Sequence, residues 1–145
     1  MTQTRKRTGS CLCGDVKITA QAASLHVGAC HCDMCRRWGG GPFIEIDCGD
    51  AVSFDGESSI SIYDSSAWAE RGFCKRCGTH LFYRIKQHHQ HMLPAGLIDD
   101  QSNLHFEMQV FIDHKPAYYT FADDTKTMTE TQVFEMFGGD SDGEL

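Results

Sequence analysis

Apolar and polar residues alternate along most of this chain in short runs. Val16, Ile18 and Ala20 are separated by Lys17 and Thr19, which predicts a strand with one face turned inward. Residues 43–47, 60–63 and 81–85 repeat the pattern. Residues 92–98 are more continuously apolar, and Pro94 predicts a strand start, edge or bulge there. Phe106, Met108, Val110 and Ile112 fall on one side of a further run. Turn residues stand at Asp55-Gly56 and Cys48-Gly49-Asp50. Helical periodicity is brief. One turn fits residues 33–38, and another fits 131–137, where Val133, Phe134 and Phe137 share a face. No segment sustains that repeat over three turns. The fold class is therefore mainly β, with the cysteines in the connections.

The 145 residues suit one domain. Residues 1–8, which carry Arg5-Lys6-Arg7, read as a flexible arm, and 138–145 as an acidic, Gly-rich tail. That leaves 9–137 as the single folded unit. A net charge of −7 works against a nucleic-acid partner, which would demand positive charge to displace counterions from phosphates. No apolar segment approaches the roughly 20 residues needed to cross a membrane, and the basic run precedes no apolar stretch. The expectation is a cytoplasmic protein.

The eight cysteines change the picture. They fall into Cys11-Leu12-Cys13-Gly14, Cys30-His31-Cys32-Asp33-Met34-Cys35 and Cys74-Lys75-Arg76-Cys77-Gly78, with Cys48 alone. A disulfide between near neighbours such as Cys11 and Cys13 closes a strained ring, whereas both thiolates reach one ion without strain. Zinc–thiolate sites favour four ligands delivered as two short pairs, so Cys11, Cys13, Cys74 and Cys77 make a closed structural site. Gly14 and Gly78 follow ligands where the backbone must turn tightly. Cys30, Cys32 and Cys35 supply three ligands. Either Cys48 or His31 completes that shell, or the fourth position stays open for a thiol or an activated water.

The ordered motifs Gly9-Ser10-Cys11-Leu12-Cys13-Gly14, Cys30-His31-Cys32-Asp33-Met34-Cys35-Arg36, Gly41-Pro42-Phe43, Phe73-Cys74-Lys75-Arg76-Cys77-Gly78 and Gly96-Leu97-Ile98-Asp99-Asp100 resemble the glutathione-dependent formaldehyde-activating enzyme family, also called CENP-V/GFA. The resemblance spans residues 8–120. It implies the Mss4-like (β-tent) fold of folded antiparallel sheets with zinc-binding loops. It also implies about two zinc ions per chain. The structural ion falls on Cys11, Cys13, Cys74 and Cys77, and a second, catalytic-type ion on Cys30, Cys32 and Cys35.

The activity implied is condensation of glutathione, or a similar small thiol, with formaldehyde or a small aldehyde to an S-hydroxymethyl adduct; the class is carbon–sulfur lyase. Within that reading His31 either shuttles protons or orients its neighbours. Arg36 and Arg37 either meet the carboxylates of the thiol or form a solvated face. Trp38 packs beside the site. Cys48 is a buried small hydrophobe, a fourth ligand or a redox thiol. His88, His89 and His91 read as an exposed hairpin, and Asp99-Asp100 as a turn. Two other classes stand beside the lyase. One is a non-catalytic, zinc-stabilised binding module. The other is a methionine sulfoxide reductase-like enzyme, for which Cys48 is the only non-ligand cysteine.

Overall fold

In a computed structural model of the protein, which describes residues 3–136, the alternating runs become strands and the cysteine motifs become the turns between them. In chain order the strands are β1 (Thr4–Ser10), β2 (Lys17–Ser24), β3 (His26–Cys30), then helix α1 (Asp33–Gly39), β4 (Phe43–Gly49), β5 (Val52–Asp55) and β6 (Ile60–Tyr63). They continue as β7 (Ala69–Cys74), β8 (His80–Ile85), β9 (His91–Pro94), β10 (His105–Val110), β11 (Lys126–Met128) and helix α2 (Glu130–Met136).

Two sheets result. The smaller runs β1-β2-β5, and the larger runs β11-β10-β3-β4-β9-β8-β7-β6. Most neighbours are antiparallel, but β10 lies parallel to both β3 and β11. That departs from a purely antiparallel expectation. After β9 the chain leaves through a short 3-10 turn at Ala95–Leu97 and returns by a long connection, so β10 enters from the same end as β3. Pro94 closes β9, and the apolar run continues past it as this turn rather than as a strand.

Val16, Ile18, Ala20, Ile46, Leu81, Phe82 and Leu93 form the core, along with Cys48. Each is at most 1% exposed. Gly72 is fixed by close approach: a Cβ there would sit 2.2 Å from the Phe82 ring. A second cluster gathers Cys30, Cys32, Cys35, Phe43, Tyr83, Phe111 and Val133 around the end of β3 and the two helices.

The N-terminal segment is not a loose arm. Residues 4–8 belong to β1, paired with β2 from Thr4 opposite Ser24 onward. Arg7 is 2% exposed, and its Nη1 and Nη2 donate to the Asp100 and Ser102 carbonyls at 2.7 and 2.8 Å. Strand alternation turns Arg7 inward, and the Asp100 and Ser102 carbonyls accept from both Nη atoms of a cation that reads as solvated from composition alone. The expected tail at 138–145, like Phe137, lies outside the described residues. No helix among the described residues is long and apolar enough to cross a membrane.

Candidate metal centres

Two knuckles face each other across the first site. The connection after β1 carries Cys11 and Cys13. The turn between β7 and β8 carries Cys77, and Cys74 ends β7. Each knuckle closes on a glycine with positive φ, Gly14 at 84° and Gly78 at 81°, whose N–H groups donate to the Cys11 and Cys74 carbonyls. All four sulfurs lie within 4.8 Å of one another. Cys11 and Cys13 are 3.6 Å apart and Cys13 and Cys74 3.8 Å. A tetrahedral ion with bonds of about 2.3 Å to sulfur sets edges of about 3.8 Å, so the spacing fits such an ion. The Val16 N–H donates to Cys11 Sγ at 3.3 Å, and Thr79 Oγ1 lies 3.1 Å from Cys77 Sγ. Such outer contacts fix ligand orientation.

Cys30, Cys32 and Cys35 form the second cluster, with sulfurs also within 4.8 Å. Cys30 ends β3. Cys32 caps α1, its sulfur accepting from the Cys35 N–H at 3.3 Å, and Cys35 projects from the first turn. All three are at most 5% exposed. Among the described residues no fourth histidine, cysteine or carboxylate joins them. Cys48 lies in the core instead, 0% exposed, its thiol directed at the Ile46 carbonyl. Burial pushes that thiol up to about 12, which makes it a poor nucleophile as well as an absent ligand. The geometry of Cys48 is that of a buried small hydrophobe.

His31 is fully buried with both ring nitrogens engaged. Nε2 is 2.8 Å from Gln109 Oε1 and Nδ1 is 2.7 Å from the Tyr119 hydroxyl. Gln109 uses its amide N–H on Thr125, so its oxygen must accept. Nε2 therefore carries the proton, and Nδ1 accepts from Tyr119. Burial lowers the His31 pKa and holds the ring neutral. Arg36 Nε donates to the His31 carbonyl at 2.9 Å, and Arg37 pairs with Asp33 on the exposed side of α1. Trp38 stacks on Tyr63 and meets the edges of Phe73 and His80.

Four residues around the cluster gave no sequence signal. Cys30 and Cys35 border a cavity of about 150 Å³ whose wall also contains Trp68, Tyr83 and Glu45. Arg71, in the middle of β7, is 1% exposed. Its Nη2 sits 3.6 Å from Cys35 Sγ, and its guanidinium lies over the rings of Tyr83 and Trp38 at 5.0 and 5.7 Å. The Arg71 Nε and Nη1 and the Trp68 indole N–H are buried without hydrogen-bond partners among the described residues. Glu45 and Arg71 both sit in strands where a charged residue reads as the solvent side. Here a second layer of structure covers that side.

Glu45 is half-buried by surface and borders the largely apolar cavity beside the cluster. Loss of solvent, reinforced by the charge on Asp47, raises its pKa to about 8. The folded pKa lies above the unfolded one. The carboxyl thus costs nothing below the unfolded value near 4.5, and its penalty grows as pH rises towards 8. Glu45→Gln is expected to match the parent at pH 5 and to exceed its stability at pH 9 by on the order of 2–4 kcal/mol. Urea unfolding at the two pH values checks this, and equal differences at both would count against a neutral Glu45.

Other motifs are accounted for structurally. His88 and His89 occupy an exposed turn, but His91 is only 3% exposed, with Nδ1 on the Gly49 carbonyl. The exposed-hairpin expectation fails for His91 because β9 begins there and turns that ring onto Phe82. Asp113, His114 and Glu130 also converge, but Asp113 accepts from the Glu130 N–H and His114 pairs with Glu130, which secures α2.

Fold and clusters together define the class: a mainly β protein with two cysteine clusters of a size to hold metal ions. A profile of the glutathione-dependent formaldehyde-activating enzyme family matches residues 6–114, and the chain belongs to that family. It is 34% identical over 128 residues to an uncharacterized lyase of Schizosaccharomyces pombe, covering 88% of this chain and 93% of that protein. A Penicillium rubens protein named for glutathione-dependent formaldehyde activation is 35% identical over 82 residues, which make up 54% of this chain and 43% of that protein. The crystal structure of a Rhodobacter sphaeroides protein shares the fold, with a TM-score of 0.53 at 21% identity over 63% of this chain and 87% of that one.

Proposed function

We propose that the protein is a zinc-dependent carbon–sulfur lyase that joins a glutathione-like thiol to a small aldehyde and splits the resulting adduct. One observation carries the reading: three buried cysteine sulfurs with no fourth side-chain ligand among the described residues, opening on a cavity. Cys30, Cys32 and Cys35 would hold the working ion, and Cys11, Cys13, Cys74 and Cys77 a structural one. Zinc at the three-sulfur cluster would favour the thiolate form of a thiol brought to its open side. In the condensation the thiol sulfur attacks the carbonyl carbon and the C–S bond forms. The C=O π pair passes to oxygen, which takes the Glu45 proton. The proton released by the incoming thiol returns to Glu45, so none is gained or lost. The reverse sequence cleaves the same bond.

His31 orients the loop between Cys30 and Cys32 through Tyr119 and Gln109. Arg36, with Asp33 as its ion-pair partner at 3.8 Å, is the cation assigned to a carboxylate of the thiol. Eight unpaired cysteines fit a reducing compartment, which supports a cytoplasmic location. The buried, raised thiol of Cys48 weighs against the sulfoxide reductase alternative.

Elemental mass spectrometry of the purified chain tests this. The parent is expected to hold about two zinc ions, by the four-ligand rule with one open site. Cys35→Ser is expected to hold about one, keep its circular dichroism and lose condensation. One ion or none in the parent would remove the basis of the mechanism.

A further inference from the structure

The cavity beside the three-sulfur cluster is larger than formaldehyde needs. At about 150 Å³ it matches the volume at which an apolar cavity accepts a benzene ring, whereas formaldehyde has two heavy atoms. Phe43, Ile85, Met92, Val110 and Val133 form most of its wall, with Cys30 and Cys35 at one side. It is also the wrong chemistry for the body of a glutathione-like thiol, which carries carboxylates, an ammonium and amides. Among the described residues no lysine or arginine lines this cavity, so its wall offers no partner for the thiol's carboxylates. What remains is the other substituent on the carbon that bonds to sulfur.

We infer that this cavity is the subsite for an apolar substituent on the aldehyde carbon, and that the substrate is an aldehyde bearing a group about the size of a phenyl ring or a branched chain of five or six carbons. This rests on the lyase reading and narrows its substrate. The reaction balances as for any aldehyde: thiol and carbonyl compound give one hemithioacetal, the sulfur–carbon bond replacing the carbonyl π bond and the oxygen keeping one proton. The wall places apolar atoms around the substituent, and Glu45 is the wall's acid for the oxygen.

Stable thioethers provide the probe. In calorimetry with the zinc-loaded protein, S-benzylglutathione is expected to bind roughly 10- to 150-fold more tightly than S-methylglutathione, the gain from burying one aromatic side group. Val133→Phe, which fills the cavity from α2, is expected to reduce that ratio to near one, and Val110→Phe to do the same from the end of β10. Equal affinities for the two conjugates in the parent would overturn the subsite and leave the lyase reading standing. Toluene separates the remaining cases. If neither conjugate binds but toluene raises the thermal midpoint of the parent and not of Val133→Phe, the apolar subsite is supported and the glutathione part of the reading has failed. If toluene also has no effect, the subsite is overturned.

Discussion

Replacing Cys74 with serine is expected to empty the four-sulfur site and lower the thermal midpoint by at least about 15 °C, or to prevent folding altogether. Cys74 is 0% exposed and ends β7, so its sulfur joins the large sheet to the connection between β1 and β2. Structural zinc contributes roughly 10–16 kcal/mol in small peptides at neutral pH, against a typical net domain stability of about 5–15 kcal/mol. A protein with its own core does not depend on the whole of that sum. Even a third of it, lost from a domain of this size, gives a shift of the stated order. Cys13→Ser, at an exposed ligand, should cost less, because its replacement leaves no buried polar group. Calorimetric scans with metal analysis on the same samples check both. A Cys74→Ser protein melting within a few degrees of the parent would show that the sheets hold this edge without metal.

The two cysteine clusters were legible because candidate metal sites impose short, fixed spacings that survive in one dimension. The same held for the start of β2, where Ile18 and Ala20 meet the core and Lys17 is exposed. Legibility ended where both faces of a strand are covered. In β7, Ala69, Arg71, Gly72 and Cys74 are all buried, so that strand shows no clean alternation. β1 failed for a different reason. Its charged residues read as solvated, and only the carbonyls of a turn more than ninety residues away make Arg7 a buried donor. The openness of the second site also depends on distance. Nothing in the spacing of Cys48 or His31 says that the first sulfur lies in the core or that the second residue's nitrogens are taken by Gln109 and Tyr119. Side chains that meet only through the fold leave no periodic trace.

Arg71 is the clearest case, and its replacement carries the second large effect. A guanidinium that is 1% exposed, with Nε and Nη1 unpartnered among the described residues, would cost several kcal/mol if nothing offset its charge. The faces of Tyr83 and Trp38 offset part of it. The rest falls to the cluster it adjoins through Cys35. Three thiolates holding a divalent ion would leave one net negative charge, which the guanidinium would cancel. A substrate thiolate joining such a site would restore a single negative charge; without Arg71 it would have to join a site already negative. Arg71→Met keeps the length and apolar stem while removing the charge. It is expected to weaken the second metal site about 10- to 100-fold, the usual scale for an outer-sphere partner. Condensation activity should fall by at least as much, while the four-sulfur site keeps its ion. Because a buried cation is removed, stability in chelator should hold or rise rather than fall. That separates a charge-balancing role from a merely structural one. Arg71→Lys should recover part of the affinity, since a point charge survives without the planar contact to both rings. Competition with a chelating dye, run on both variants, reads these affinities. An Arg71→Met protein with parental zinc affinity and activity would show that the guanidinium does not hold the charge of this site.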